Sequence, residues 1–254
     1  MTETSLRCLV TGASRGIGAA IVAQLDHGGH RIALTARGRE GLERVADGLA
    51  QPALVLPADA TDPRTPGWLR EQIDHAWGGV DVLVVNAGEG VAAPLAKTDD
   101  ALWDSALAVN LTAPFRLLRE FVPAMVDQGY GRVVVVASVA GKVGAPYISA
   151  YAAAKHGVLG LVRSVAAEVA TSGVTVNAVC PGYVDTPMTQ RSIDAIVERT
   201  GRTPAEARAS LERQQPIGRL ITTAEVAAAV DYCVRDTGAL NGQSITIDGG
   251  GVQS

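Results

Sequence analysis

The stretch Thr11-Gly12-Ala13-Ser14-Arg15-Gly16-Ile17-Gly18 constrains this chain more than any other feature. It follows an apolar run that begins at Leu6, and it leads directly into a helical pattern. Glycines there let the backbone turn tightly and leave no side chains in the way of a pyrophosphate. The helix that follows aims free amide groups and its positive end at the same spot. This order predicts the opening βαβ unit of a dinucleotide-binding sheet. Gly12, Ser14, Arg15, Gly16, Ile17 and Gly18 are the candidate cofactor contacts. A glycine-rich turn without a ligand is the plain alternative.

The rest of the chain repeats the alternation. Strands are expected at Leu6–Val10, Arg31–Thr35, Ala53–Leu56, Val80–Val85, Arg132–Ala137, Val174–Val179 and Ser244–Ile247. The helix after the glycines carries Ile17, Ile21 and Leu25 on one stripe and ends at Gly28-Gly29. Further helices are expected at Glu40–Leu49, Trp68–Trp77, near Asp99–Asn110 and Pro114–Gln128, then at Ser149–Ala170 and Ala224–Val234. The strands are continuous apolar runs, which marks a parallel sheet buried on both faces. The expected fold is α/β: one domain over residues 1–254, a doubly wound, Rossmann-type, seven-stranded parallel sheet with helices on both faces. A polar, Arg- and Glu-rich excursion, Asp185–Gln215, interrupts it and reads as a lid over about 187–215.

Composition narrows the function. Hydrophobic residues make up 47% but aromatics only 4%, so small aliphatic side chains must build the core. A formal charge of −4 argues against nucleic-acid binding. No stretch approaches the ~20 apolar residues of a membrane span. Met1–Ser5 is polar, unlike a signal peptide, and a soluble cytoplasmic protein is expected. Cys8, Cys180 and Cys233 lie far apart in apolar surroundings and read as reduced core residues. His27, His30, His75 and His156 are scattered, so no metal site is expected; His156 diverges from its neighbour Lys155 on the helix.

Three motifs fall where strands end. Asn86-Ala87-Gly88 follows the fourth strand, and its small residues would let a ring or ribose lie close; an ordinary turn would look the same. Ser138 follows the fifth strand, as a catalytic hydroxyl or a plain cap. Tyr151 and Lys155 stand four apart, one turn apart on one helix face. A phenol ionises near pH 10, and a neighbouring ammonium lowers that value. Such a pair can exchange a proton near neutral pH, as carbonyl–alcohol interconversion requires.

Together these residues make the chain resemble the short-chain dehydrogenase/reductase family. The resemblance covers nearly all of it: Thr11–Gly18, Asn86–Gly88, Asn110, Ser138, Tyr151-Ala152-Ala153-Ala154-Lys155, Pro181-Gly182 and Asp248-Gly249-Gly250. It implies that Tyr151 is the general acid/base and that Lys155 lowers its pKa and holds the nicotinamide ribose. It implies that Ser138 binds the reacting oxygen and that Asn110 holds a proton-relaying water. Pro181, Gly182, Val184 and Thr186 would meet the nicotinamide, and Asp59 and Ala60 the adenine. Val85 departs from the family's usual Asn-Asn-Ala-Gly, at a strand position where little cost is expected.

The second strand ends in Ala36-Arg37, where an NAD-preferring site usually places an acid. Arg37, with Arg15, can pair with a 2′-phosphate, so NADP(H) is expected over NAD(H). Ala140, Val143, Tyr147, Ile148, Tyr183 and Met188 are candidate substrate-lining residues. Most are apolar, as for a carbonyl on an acyl body. Arg191, Arg199, Arg202, Arg208 and Arg213 in the excursion either meet the phosphates of a coenzyme A or carrier-protein arm or form i, i+4 ion pairs; the second reading is preferred. Tyr151–Pro187 and Pro216-Ile217-Gly218-Arg219 are similar to the β-ketoacyl and polyketide ketoreductase branch. Two other readings stay open: NAD-dependent oxidation of a hydroxyacyl-CoA or other secondary alcohol, and a cofactor-binding regulator without catalysis. The resemblance also implies a homotetramer, paired through Ala101–Gln128 and Ser149–Ala170, with the last strand in a second interface.

Overall fold

Runs of Val, Ile, Leu and Thr favour the pleated backbone, and seven such runs become strands. The computed structural model describes residues 5–253, so all of the polar Met1–Ser5 lead except Ser5 lies outside the described residues. The strands are β1 (Arg7–Thr11), β2 (Arg31–Thr35), β3 (Leu54–Val55), β4 (Val82–Val85), β5 (Gly131–Val136), β6 (Val174–Pro181) and β7 (Ser244–Ile247). They form one sheet in the order β3-β2-β1-β4-β5-β6-β7. Every pairing is parallel; Cys8 lies opposite both Ile32 and Val82, and Val133 opposite Val176.

Nine helices join them among the described residues: α1 (Gly16–His27), α2 (Arg39–Ala46), α3 (Thr65–Trp77), α4 (Asp100–Leu107), α5 (Ala113–Asp127), α6 (Ser149–Glu168), α7 (Pro187–Thr200), α8 (Pro204–Glu212) and α9 (Thr223–Arg235). Successive strand residues face opposite ways, so one sheet serves two cores. Leu9, Leu83, Val133 and Val176 meet Ile73 of α3, Phe121 of α5 and Val158 of α6. Cys8, Val10, Val84 and Val134 meet Ile21 and Leu25 of α1, Leu42 of α2 and Val230 of α9. The expected doubly wound Rossmann-type fold is therefore present. Its winding reverses between β1 and β4, and ligands of such sheets bind outside the carboxyl ends at that switch.

Two regions differ from the sequence expectation. The helices expected near Asp99–Asn110 and Pro114–Gln128 are joined by a π-helical turn, Ala108–Thr112, with Asn110 inside it. One widened turn leaves no trace in hydrophobic period. The polar excursion folds into α7 and α8, each capped by threonine: Thr186 accepts the Thr189 N–H, and Thr203 forms a capping box with Glu206. Ile193, Ala207, Leu211 and Leu220 give the excursion its own small core. Among the described residues, no helix is long and apolar enough to cross a membrane, and Cys8, Cys180 and Cys233 are free and buried.

Candidate active site

The glycine loop sits at the switch point, shaped by close approach. Gly12 and Gly16 have φ of +64° and +57°, the region that favours glycine. A Cβ on Gly18 would collide with the Gly12 carbonyl, so α1 packs here only without a side chain. Asn86, a candidate cofactor contact, braces the loop: its Nδ2 donates to the carbonyls of Thr11 and Gly12 at 3.0 and 3.1 Å. The Thr11 hydroxyl accepts the backbone N–H of Asn86 and of Ala87, both at 3.0 Å. Thr11 was not singled out in the sequence, although it opens the motif. α1 starts at Gly16, after an extended Arg15 that gives no side-chain cap, and has no acid in its first turn. Its amides are thus left for an anionic partner, which fits a dinucleotide pyrophosphate.

Arg37 and Asp59 stand exposed just beyond β2 and β3, with Ala60 half-buried beside Asp59. The backbone N–H and hydroxyl of Thr61 hold the Asp59 carboxyl below its ordinary range, helped by the charge of Arg37.

Ser138, Tyr151 and Lys155 converge at the ends of β5 and α6. Ser138 caps a short 3₁₀ turn, accepting the Ala140 N–H at 3.1 Å. Its hydroxyl also shares a side-chain hydrogen bond with Tyr151. Lys155 is buried and donates to the Val136 carbonyl at 3.1 Å, its Nζ 5.7 Å from the centre of the Tyr151 ring. Burial pushes the Lys155 ammonium down to about 8. Burial of the hydroxyl raises the Tyr151 phenol above its ordinary value, against the pull of Ser138. Desolvation outweighs that hydrogen bond, so the phenol lies above its ordinary value rather than below it.

Asn110 is buried, its Nδ2 donating to the carbonyls of Glu89 and Ala106, both at 3.0 Å, while its Oδ1 accepts the Glu89 N–H at 3.3 Å. A Cβ on Gly88 would lie 3.0 Å from that Oδ1 and 3.7 Å from the Lys155 Nζ, so all three share one wall. Two hydroxyls thus meet at a point where a carbonyl oxygen can accept from both, with a buried ammonium one helical turn away. Val85 packs in the core of the strand, as expected.

The far wall begins at Pro181-Gly182, where β6 ends. Val184 is buried and bridges to Ile221. Thr186 caps α7 beside the glycine loop; a Cβ on Gly16 would lie 3.5 Å from its methyl. Met188 packs at Gly90, the Arg199 guanidinium donates to the Ala92 carbonyl at 3.3 Å, and the Ala93 N–H donates to Tyr147 at 2.7 Å. Ala140 is buried, Ile148 half-buried, and Val143 and Tyr147 exposed at the mouth. Tyr147 holds φ of +70°, a strained value for an aromatic residue. Arg208 pairs with Asp185 and Glu212, which realises the ion-pair reading for that arginine. A cavity of about 650 Å³ lies at the opposite edge of the sheet. Its Arg7 is committed to Asp81 and its Arg132 to backbone carbonyls, so the C-terminal edge remains the candidate site.

Comparison with known proteins agrees with this geometry. The family model for short chain dehydrogenases matches residues 7–197. The chain is 37% identical to a D-beta-hydroxybutyrate dehydrogenase of Rhizobium meliloti (strain 1021), covering 98% of both proteins. It is 36% identical to a 3-oxoacyl-[acyl-carrier-protein] reductase of Escherichia coli (strain K12), covering 95% of both. A crystal structure of a variant actinorhodin polyketide ketoreductase with NADPH superposes with a TM-score of 0.93 at 34% identity, over 99% of this chain and 98% of that one. The chain belongs to the short-chain dehydrogenase family.

Proposed function

We propose that this oxidoreductase is an NADP(H)-dependent ketoreductase that interconverts a ketone and a secondary alcohol. The observation that carries the reading is the meeting of the Ser138 and Tyr151 hydroxyls beside buried Lys155, at the same sheet edge as the glycine loop. A nicotinamide dinucleotide bound there would supply the hydride. Ser138 orients the substrate oxygen, and Tyr151 gives it a proton as negative charge develops. Lys155 holds the ribose, and Asn110 keeps the backbone of Glu89 in place and lines a proton route to Lys155. The α1 amides, Ser14, Arg15, Gly16 and Ile17 would hold the pyrophosphate, and Pro181, Gly182, Val184 and Thr186 would flank the nicotinamide.

Arg37 would pair with the 2′-phosphate of such a cofactor, since no acid stands at the end of β2. The substrate class we favour is a 3-oxoacyl thioester, carried on coenzyme A or a carrier protein, or a related polyketide-like ketone. Supporting it are the apolar Ala140, Val143, Tyr147, Ile148, Tyr183 and Met188, and the named activities of the ketoacyl relatives. The excursion 187–215 serves as a lid. The protein works in the cytoplasm, without nucleic acid or membrane. It assembles as a homotetramer through α4–α5 and α6, with β7 in a second interface; exposed Trp103, Phe115 and Val126 support burial on α4 and α5. NAD-dependent alcohol oxidation is the second reading, with the hydroxybutyrate dehydrogenase relative in its favour.

NADPH consumption with S-acetoacetyl-N-acetylcysteamine and a panel of ketones tests this. Tyr151→Phe is expected to lower kcat by about a hundredfold or more, and Arg37→Asp to shift preference from NADPH toward NADH by about tenfold. An unchanged rate in the first variant overturns the catalytic assignment, and an unchanged preference in the second overturns the cofactor.

A further inference from the structure

One buried amide has no part in the chemistry above. Gln215 is 3% exposed, on the turn that follows α8. Its Oε1 accepts the backbone N–H of Tyr183 at 2.9 Å. Its Nε2 donates to the carbonyls of Tyr183 at 3.1 Å and Arg219 at 2.7 Å. A Cβ on Gly182 would collide with the same Oε1, so glycine is what admits the amide there. The strand end is tied a second time: Ile221 donates to the Tyr183 carbonyl at 2.9 Å, and Asp185 to the Ile221 carbonyl at 2.8 Å. An aliphatic side chain would fill this space with no polar group to desolvate. Both N–H groups and the oxygen of Gln215 are instead engaged, two of the three bonds on the backbone N–H and carbonyl of Tyr183.

Tyr183 is held from other sides too. It packs against the small core of the excursion, formed by Ile193 of α7, Ala207 and Leu211 of α8, and Leu220. Its phenol lies close enough to Tyr151 to act on that group electrostatically. Tyr183 therefore joins three things: the strand that ends beneath the nicotinamide subsite, the two helices of the excursion, and the Ser138–Tyr151 hydroxyl pair.

We propose that Gln215 is a positioning residue that fixes Tyr183, and through it the height of α7 and α8 over the reacting hydroxyls. It thereby limits the size of ketone the site admits. The proposal rests on the ketoreductase reading of the same site.

The test uses the full-length chain with saturating NADPH and two ketones of different bulk, S-acetoacetyl-N-acetylcysteamine and 1-decalone. Rates are counted per NADPH-binding site, measured by cofactor fluorescence. Gln215→Met keeps the length and loses all three bonds. Gln215→Glu keeps the acceptor for the Tyr183 N–H and loses both donations. Gln214→Met is the control at an exposed neighbour. For Gln215→Met, kcat is expected to fall about tenfold while NADPH affinity stays within about threefold and the kcat/KM ratio of the two ketones shifts by about threefold or more. Gln215→Glu is expected between it and wild type, and Gln214→Met is expected to match wild type. A Gln215→Met enzyme within about twofold of wild type in both kcat and ketone ratio overturns the proposal, whatever its melting temperature. If that variant does not fold, the same criterion applied to Gln215→Glu decides. A wild type that reduces no carbonyl compound defeats the reading of the site itself, before any variant is compared.

Discussion

Lys155 is a cation nearly enclosed by protein, and its pKa of about 8 has two consequences. The first concerns rate. Tyr151 stays protonated well past neutrality, because burial raises it. The alkaline limb of ketone reduction should therefore come from Lys155, with kcat/KM falling above about pH 8. A profile flat to pH 9.5 would remove the lysine from the mechanism. The second concerns stability. Folding lowers the lysine below its ordinary 10.5, so the folded state binds fewer protons between about 8 and 10.5. Stability from this group therefore rises with pH across that window, by roughly 3 kcal/mol at most. Lys155→Met lacks the term. Urea denaturation of the cofactor-free protein at pH 7.5 and pH 10 should show wild type gaining on the variant.

Between β1 and β4, the working loop is held by side chains of those strand ends rather than by ligand groups. Thr11→Val keeps the shape of the side chain but leaves the N–H groups of Asn86 and Ala87 without their acceptor. We expect a loss of about 2 kcal/mol in urea denaturation and weaker dinucleotide binding. No loss would mean that water replaces the hydroxyl without penalty. Gly12, Gly16 and Gly18 were legible because a strand, a tight turn and a helix lie within a dozen residues. Tyr151 and Lys155 were legible because helical geometry makes four residues one turn. Gln215 and Tyr183 meet across 32 residues, and Asn110 and Glu89 across 21. Those bonds depend on where β4, β6 and the excursion come to rest, and neighbouring residues carry no sign of them. The π turn is hidden for a related reason: one extra residue per turn is a response to packing, not a pattern of side chains.

At the scale of the whole molecule, the sheet divides labour between its two edges. The N-terminal edge carries arginines already matched to acids and carbonyls, such as Arg7 with Asp81, and reads as architecture. The C-terminal edge keeps unmatched groups, foremost the start of α1, which has neither a capping side chain nor a first-turn acid. This incomplete helix end makes heat tolerance a property shared with a small molecule. A dinucleotide at a hundred times its Kd adds about 2.7 kcal/mol, which for a chain of this size is a rise in Tm of roughly 5–10 °C. Adenosine, which lacks a pyrophosphate, should give little of that rise in a thermal melt. The protein's lifetime in a cell would then follow the supply of coenzyme, whether or not any substrate was at hand.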